Sequence, residues 1–165
     1  MEPDHVDGIL AQWRRERPDL DPSPIGLIGR LHRLADVLNV ELRKVFAEAG
    51  LGDGDFDVLV TVRRNGAPYE MTPGELCAST MVTSSAVTKR IDRLERAGLV
   101  TRTVSDEDAR SRRIRLTDAG FELVDRLMAV HIANEHRLVA GLSERDRSQL
   151  AAILRRWGEA LQQEP

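Results

Sequence analysis

The side chains most able to do chemistry are hydroxyl and cationic groups between residues 84 and 117. This interval contains nine Lys or Arg against five Asp or Glu, although the whole chain has a formal net charge of −3. Residues 1–29 have the opposite bias, with six acidic and three basic side chains. Contacts with phosphate depend on the local field, because exposed charges are screened over about 10 Å. The interval is therefore able to bind a polyanion in spite of the acidic total.

A helix-turn-helix is predicted to position these groups. Thr72-Pro73-Gly74-Glu75 combines a hydroxyl N-cap, a proline at the first helical position and a carboxylate at the third, so a short helix should start there. Thr80-Met81-Val82 is predicted to be a turn, and Thr83 to cap a second helix that ends at Gly98. Apolar residues at i, i+4, i+7 spacing leave hydroxyls and cations on its other faces, where they can meet DNA. These are Ser84, Ser85, Thr88, Lys89 and Arg93.

Two short strands should follow the second helix. They are Leu99-Val100-Thr101-Arg102-Thr103 and Arg112-Arg113-Ile114-Arg115-Leu116, joined by the polar residues 105–111. The second strand alternates arginine with aliphatic residues, as a half-buried hairpin does. A helix-turn-helix followed by a hairpin predicts a winged helix over residues 54–117.

Catalytic and metal-binding signals are absent from the sequence. His131 and His136 are five residues apart, about 140° around a helix, so one helix cannot direct both at one ion. No phosphate-binding glycine loop, G-x-S-x-G or H-E-x-x-H motif occurs. The single Cys77 is expected to be a buried structural cysteine, with a redox-sensing thiol as the alternative. We expect no enzyme activity, no metal and no cofactor.

Composition limits the remaining possibilities. The 165 residues suffice for one sizeable core, and 41% hydrophobic with 31% charged residues is typical of a soluble protein. No apolar run approaches the roughly 18 residues of a membrane span, and the acidic N-terminus lacks the apolar region of a secretory signal. A single cytoplasmic domain over residues 1–165 is expected.

Amphipathic helices are predicted on both sides of the winged helix. An extra N-terminal helix over 4–17 carries Val6, Ile9, Leu10 and Trp13 on one stripe. Longer helical segments span 24–50 and 118–162, with Thr117 and Ser143 as caps. Their surplus of apolar faces favours a homodimer, in which two recognition helices enter major grooves about 34 Å apart. The alternative is a larger monomeric core.

The run from Thr83 to Val100, followed by Asp106 to Arg110, Leu116-Thr117 and Gly120, resembles the MarR family of bacterial transcription regulators. The resemblance covers about residues 25–161. It implies a mainly α (α+β) winged helix-turn-helix fold with long terminal dimerisation helices. It also implies that the protein binds operator DNA and releases it when a small anionic or phenolic molecule binds. It also implies major-groove contacts from the five polar helix residues above. Wing contacts with the minor groove or its phosphates would come from Arg110, Arg112 and Arg113, with Asp108 steadying Arg110.

The extra N-terminal helix over 4–17 resembles, within the family, the urate-responsive, PecS-like branch. In that branch the ligand site is similar to a set formed here by Trp13, Asp57, Arg90 and Arg102. A planar anion such as urate can stack near an indole and pair with arginine, displacing a carboxylate. Each of the four residues also has an alternative role. Trp13 would pack in the apolar stripe, Asp57 would interact with the dipole at the start of its helix, and the two arginines would contact phosphates.

The sequence therefore predicts a homodimeric, ligand-responsive transcription regulator of double-stranded operator DNA, a repressor released by a urate-like or phenolic effector. Two alternatives stay open: a winged-helix interaction module without specific DNA binding, and an enzyme with an unrecognised site. The operator sequence, the regulated genes, the natural ligand and the choice between repression and activation are not determined by the sequence.

Overall fold

The computed structural model describes residues 2–80, 84–104 and 112–163, which form two compact units, residues 1–44 and residues 45–165. The described helices are α1 (His5–Glu16), α2 (Ser23–Ala47), α3 (Asp53–Arg64), α4 (Pro73–Ser79), α5 (Ser84–Arg96), α6 (Asp118–Leu138) and α7 (Glu144–Gln162). The strands are β1 (Glu70–Met71), β2 (Val100–Val104) and β3 (Arg112–Leu116). This mainly helical winged-helix architecture confirms the predicted fold class.

In the first unit, α1 packs on α2. Val6 and Leu10 are the buried residues of α1, and they lie against Gly29 and Gly26 of α2, where the missing side chains leave room for them. Asp4 and Asp7 form a capping box at the start of α1. The guanidinium of Arg30 donates to both carboxylates, at 2.7–2.9 Å. The packing of Val6 and Leu10 against the two glycines and the ion pairs of Arg30 thus hold the two helices together.

The second unit contains the main hydrophobic core. Its fully buried side chains come from α3, α4, α5, β3 and α6, among them Leu59, Leu76, Leu94, Ile114 and Val124. Phe46 stacks on Phe56 with ring centroids 5.3 Å apart and closes one end of the core. Each of these elements presents its apolar stripe inward, and α3 also buries the polar side chains of Asp55 and Thr61.

The helix-turn-helix shows the predicted signals at the start of α4 and at the end of α5. The amide of Thr72 donates to Glu75 Oε2 at 2.8 Å, and Thr72 Oγ1 accepts from the amide of Glu75 at 3.2 Å, so α4 begins with a capping box. Gly98 ends α5 with φ of +71°, a left-handed conformation that favours glycine. The predicted turn at Met81-Val82 and the predicted cap at Thr83 lie outside the described residues.

The sheet contains one strand that the sequence interpretation missed. The strand order is β1-β3-β2, all antiparallel, and β1 pairs Glu70 with Arg115 and Met71 with Ile114. In the predicted hairpin, Val100 pairs with Leu116 and Val104 with Arg112. The first strand of the hairpin therefore begins and ends one residue later than predicted. A two-residue strand has too short a pattern to be recognised without its partner.

Helices α6 and α7 begin at the predicted caps. Thr117 Oγ1 accepts from the amide of Gly120 at 3.0 Å, and Ser143 Oγ from the amide of Asp146 at 3.2 Å. Arg63 of α3 holds α6: it donates to Asp125 at 2.7 Å, and its guanidinium lies 4.3 Å from the ring centroid of Phe121. In contrast, α7 has no buried residue.

Candidate DNA-binding surface

Helix α5 occupies the place of a recognition helix. Val87, Ile91 and Leu94 face the core and are 1–2% exposed. Thr88 and Lys89 lie on the outer side and are exposed. A hydroxyl and an ammonium on a helix that is fixed from behind can reach base edges and phosphates. The structure therefore places two of the predicted groove residues where DNA can contact them.

The remaining predicted helix contacts are positioned differently. Ser84 and Ser85 begin α5, and their side chains lie outside what the structure describes. Arg93 is on α5 as predicted, but its guanidinium is directed at α3, where Nε and Nη2 both donate to Asp55 Oδ1 at 3.0 and 2.6 Å. Asp55 is 1% exposed. Arg93 is thus a partner of a buried carboxylate.

A second ion-pair cluster joins α5 to the wing. Arg102 of β2 donates from Nη2 to Asp92 and from Nη1 to Glu95, both on α5. The hydrogen bond with Asp92 and the nearby Glu95 charge raise the pKa of Arg102 above its ordinary value. Because the two acids sit one turn apart, a single guanidinium fixes the strand beside the helix.

The wing arginines differ in their surroundings. Arg112 is exposed, whereas Arg113 is half-buried with its Nε 3.7 Å from Glu70 Oε1. Glu70 also lies 3.5 Å from Arg115 Nε, so this strand carries its own counter-charge. Asp108 and Arg110 lie outside the described residues. Among the predicted wing contacts in the described part of the chain, Arg112 is thus fully accessible to DNA and Arg113 is partly accessible.

The predicted ligand set is distributed over both units. Trp13 belongs to the first unit and is 46% exposed, so packing does not account for the whole indole. Asp57 is half-buried on α3. Arg90 lies against the first turn of α3, since a Cβ at Gly54 would overlap its guanidinium. Gly54 and Asp57 are three residues apart and therefore neighbours on the helix surface, which brings Arg90 close to the Asp57 face.

Arg90 has an unusual environment. Its Nη1 is buried and has no hydrogen-bond partner among the described residues. A buried guanidinium nitrogen without an acceptor is costly, so the position suits an added anionic group. Arg102, in contrast, is bound to Asp92 and Glu95, which lie about 140–200° around α5 from Arg90. The structure thus places the two arginines on different sides of the recognition helix.

Several residues of this surface were missed by sequence reasoning. Asp55 is the third residue of α3, a position where a carboxylate commonly accepts a hydrogen bond from the backbone before the helix, here from the amide of Gly52. Nothing in the sequence indicates the burial of Asp55 or its pairing with Arg93. Glu70 lies on the strand that was missed. Asp92 and Glu95 give no separate sequence signal, because a charge on an outer helix face is most often only solvated.

Two further observations concern chemistry that the surface does not use. Within the described ranges, no cluster of three or more His, Cys, Asp or Glu side chains has the arrangement of a metal site. In the same ranges no helix is long and apolar enough to cross a membrane.

The helix pair, the hairpin and the cationic outer face define the class: a winged-helix DNA-binding regulator. Residues 49–111 match the model of the MarR family. The chain is also 42% identical over 151 residues to the HTH-type transcriptional regulator PecS of Dickeya dadantii (strain 3937), covering 92% of this chain and 91% of PecS. It belongs to the MarR family of transcription regulators.

Solved structures show the same architecture. AbsC, a MarR family transcriptional regulator from Streptomyces coelicolor, superposes with a TM-score of 0.78 at 25% identity, covering 88% of this chain and 98% of AbsC. Sco3205, a MarR family regulator from the same organism solved in complex with DNA, gives a TM-score of 0.75 at 25% identity, covering 87% and 91% of the two chains. The winged-helix fold predicted from the sequence is thereby confirmed.

Proposed function

We propose that this regulator is a homodimer that binds double-stranded operator DNA through α5 and the wing, and that a small anionic aromatic ligand releases it. The observation that carries the proposal is the outer face of α5, where Thr88 and Lys89 are exposed on a helix fixed by ion pairs on both flanks. A helix held in this way keeps its orientation when it enters a groove, which specific recognition requires.

The proposed DNA contacts combine this placement with the contacts that the resemblance to the family implies. Base edges in the major groove would meet residues near the start of α5, and phosphates would meet the wing cations. The proposed contacts are Ser84, Ser85, Thr88, Lys89, Arg110, Arg112 and Arg113. Arg93 lies beside them, but its bond with Asp55 gives it a different role.

Unburied apolar faces support the homodimer. On α2, Ile25, Leu27, Ile28, Leu34, Val37 and Val40 are 38–62% exposed. On α7, Leu150, Ile153, Leu154 and Leu161 are 41–58% exposed. Faces of this extent rarely remain open to water, and a second copy of the same chain supplies complementary faces. The dimer would also place two recognition helices on one operator.

The ligand is proposed to be a urate-like or phenolic anion bound near Arg90. The buried Nη1 of Arg90 would gain an acceptor for its proton. The resemblance to the urate-responsive branch also implies Trp13, Asp57 and Arg102 as ligand residues. Because Arg90 lies on α5, a new partner for its guanidinium would change the free energy of the DNA-binding orientation.

A titration of labelled DNA from upstream of the protein's own gene tests the proposal. Fluorescence anisotropy at two salt concentrations, against excess random DNA, should show saturable binding that salt weakens. Lys89→Gln should weaken operator binding and reduce the slope of log affinity against log salt by about 1 per protomer. Arg126→Gln, an exposed arginine on α6, is the matched control and should bind like the wild type.

The same assay tests the ligand. Urate should release the labelled DNA and so lower its anisotropy. Arg90→Gln should abolish this response while operator binding persists. Binding of folded dimer to random and upstream DNA with equal affinity would contradict the proposal and favour an interaction module. An unchanged urate response in Arg90→Gln would remove Arg90 from the ligand site.

A further inference from the structure

Two clusters of ion pairs flank the recognition helix, and they differ in burial. On the wing side, Asp92 and Glu95 are 50% and 36% exposed. On the α3 side, the Asp55 side chain is 2% exposed, while its partner Arg93 is 54% exposed. Exposed ion pairs are readily exchanged for water, but a buried carboxylate depends on its partner. The α3 side is therefore the less adjustable of the two attachments.

Both oxygens of Asp55 are engaged. Oδ2 accepts from the amide of Gly52 at 2.8 Å, and Oδ1 accepts from Nε and Nη2 of Arg93 at 3.0 and 2.6 Å. The Gly52 bond lies within the first turn of α3, so it fixes the carboxylate independently of α5. Arg93 must then reach a point that does not move.

This fixed point determines how α5 is rotated about its own axis. Arg93 and Lys89 are four residues apart, which places them about 40° from each other on the helix surface and one turn apart along it. If the guanidinium of Arg93 is held by α3, the direction of Lys89 and of Thr88 is set as well. A rotation that released Arg93 would leave a carboxylate buried without its cation.

We propose that Asp55 and Arg93 form a positioning pair, in which Arg93 contributes to operator recognition by orienting α5 through Asp55 and not by contacting a base or a phosphate. The inference rests on the proposed function, since it assigns the pair a role in DNA recognition by α5. It also gives a buried acidic residue, remote from the outer face of the helix, an effect on DNA affinity.

A double-mutant cycle tests the pair, with Asp55→Asn, Arg93→Gln and the double variant in the operator titration described above. Each single variant should lose about tenfold in operator affinity, as expected when one base contact is misaligned. The double variant should lose no more than either single variant, because both changes remove one interaction. The salt slope should stay at the wild-type value in all three, since no phosphate contact is lost.

Lys89→Gln serves as the matched control on the neighbouring turn. It should reduce the salt slope, which Asp55→Asn and Arg93→Gln should leave unchanged. Affinities are corrected for the active fraction, and thermal unfolding is recorded for every variant, so that a loss of folded protein is not counted as a loss of affinity. The ratio of operator to random DNA affinity should fall in Asp55→Asn.

Two results would overturn the positioning pair. The first is an Arg93→Gln variant with a reduced salt slope while Asp55→Asn binds like the wild type, and the second is strict additivity in the double variant. If Asp55→Asn does not fold, the salt slope of Arg93→Gln decides: reduced affinity with the wild-type slope supports positioning, and a reduced slope shows a direct contact with phosphate. A wild-type protein without operator binding would instead remove the proposed function, and the inference with it.

Discussion

The winged helix and the long helices α2 and α7 use the same kinds of residues in opposite ways. In residues 45–127, apolar side chains from five helices and three strands close on one another, and Val58, Leu59, Val62, Leu76 and Ile114 are completely buried. On α2 and α7, leucines, isoleucines and valines with equally regular spacing stay 38–62% exposed. The DNA-binding part completes its core within one chain, whereas the long helices retain apolar surface that only another surface can cover.

Removing a large side chain from each region is the strongest test of this contrast. Leu59→Ala should lower the free energy of unfolding by about 2–5 kcal/mol, because Leu59 is fully buried and the core cannot close the cavity. Urea denaturation followed by circular dichroism measures the loss. A change below about 1 kcal/mol would show that the core of the winged helix is less tightly packed than its burial indicates.

Leu154→Ala on α7 is the counterpart in the second region. Its side chain is 41% exposed, so the folded monomer should change by no more than about 0.5 kcal/mol. The dimer dissociation constant should instead rise by about tenfold, as for the truncation of one central interface residue. Analytical ultracentrifugation over a concentration series measures it. A monomeric wild-type protein would contradict the proposed use of these faces.

A glycine at a close approach gives a smaller but still clear effect. Gly120 lies at the start of α6, where a Cβ would overlap the carbonyl oxygen of Leu99, which already accepts from the amide of Thr117 at 3.1 Å. Gly120→Ala should therefore destabilise the fold by about 1–3 kcal/mol. Differential scanning calorimetry measures the shift.

Gly8→Ala on α1 is the matched control. Gly8 is exposed, and a Cβ added to it would meet no atom of the described chain within 4 Å. Alanine should stabilise α1 by up to about 1 kcal/mol, because it loses less backbone entropy in a helix than glycine does. Equal effects of the two substitutions would remove the distinction between the close-packed unit and the N-terminal helix.

The smallest expected effect is a pH dependence at the start of α1. Hydrogen bonds from Arg30 and from the amide of Asp7 lower the pKa of Asp4 from 3.8 to about 2. A carboxyl with a lowered pKa stabilises the folded state above its ordinary pKa, and the contribution is lost as the pH falls from about 3.8 to about 2. The attachment of α1 to α2 should weaken in this range.

Trp13 fluorescence in a Trp157→Phe background measures this transition. Arg30→Gln should move its midpoint to higher pH, because Asp4 then loses the partner that lowers its pKa most. Identical profiles with and without Arg30 would show that the ion pairs at the start of α1 do not contribute to its attachment.

The helix starts were predictable because their signals are local. Thr72, Thr117 and Ser143 each bond with an amide three residues later, so the sequence around each cap contains the whole interaction. The hairpin was predictable for a related reason, since alternation along β3 reports which of its faces is buried. The exposure of Thr88 and Lys89 followed in the same way from helical spacing.

The missed features depend on residues distant in the chain. Strand β1 exists only because β3, more than 40 residues later, supplies its hydrogen bonds. Asp55 and Arg93 are 38 residues apart, and their pairing requires α3 and α5 to pack side by side. Spacing within one helix identified Arg93 as polar and outward, but it contained no information on which neighbour would take its guanidinium.

The sequence by itself determined the family, the winged-helix order of elements and the cationic character of the surface around α5, because caps, periodicity and charge are properties of short segments. The tertiary structure alone decided which of those cations stay exposed. Arg93, Arg102 and Arg113 look alike in the sequence, yet Asp55 and Asp92 bind the first two, and Glu70 lies close to the third. The physical reason is that the partner of a charge is set by packing between distant elements, while its presence is set by the chain alone.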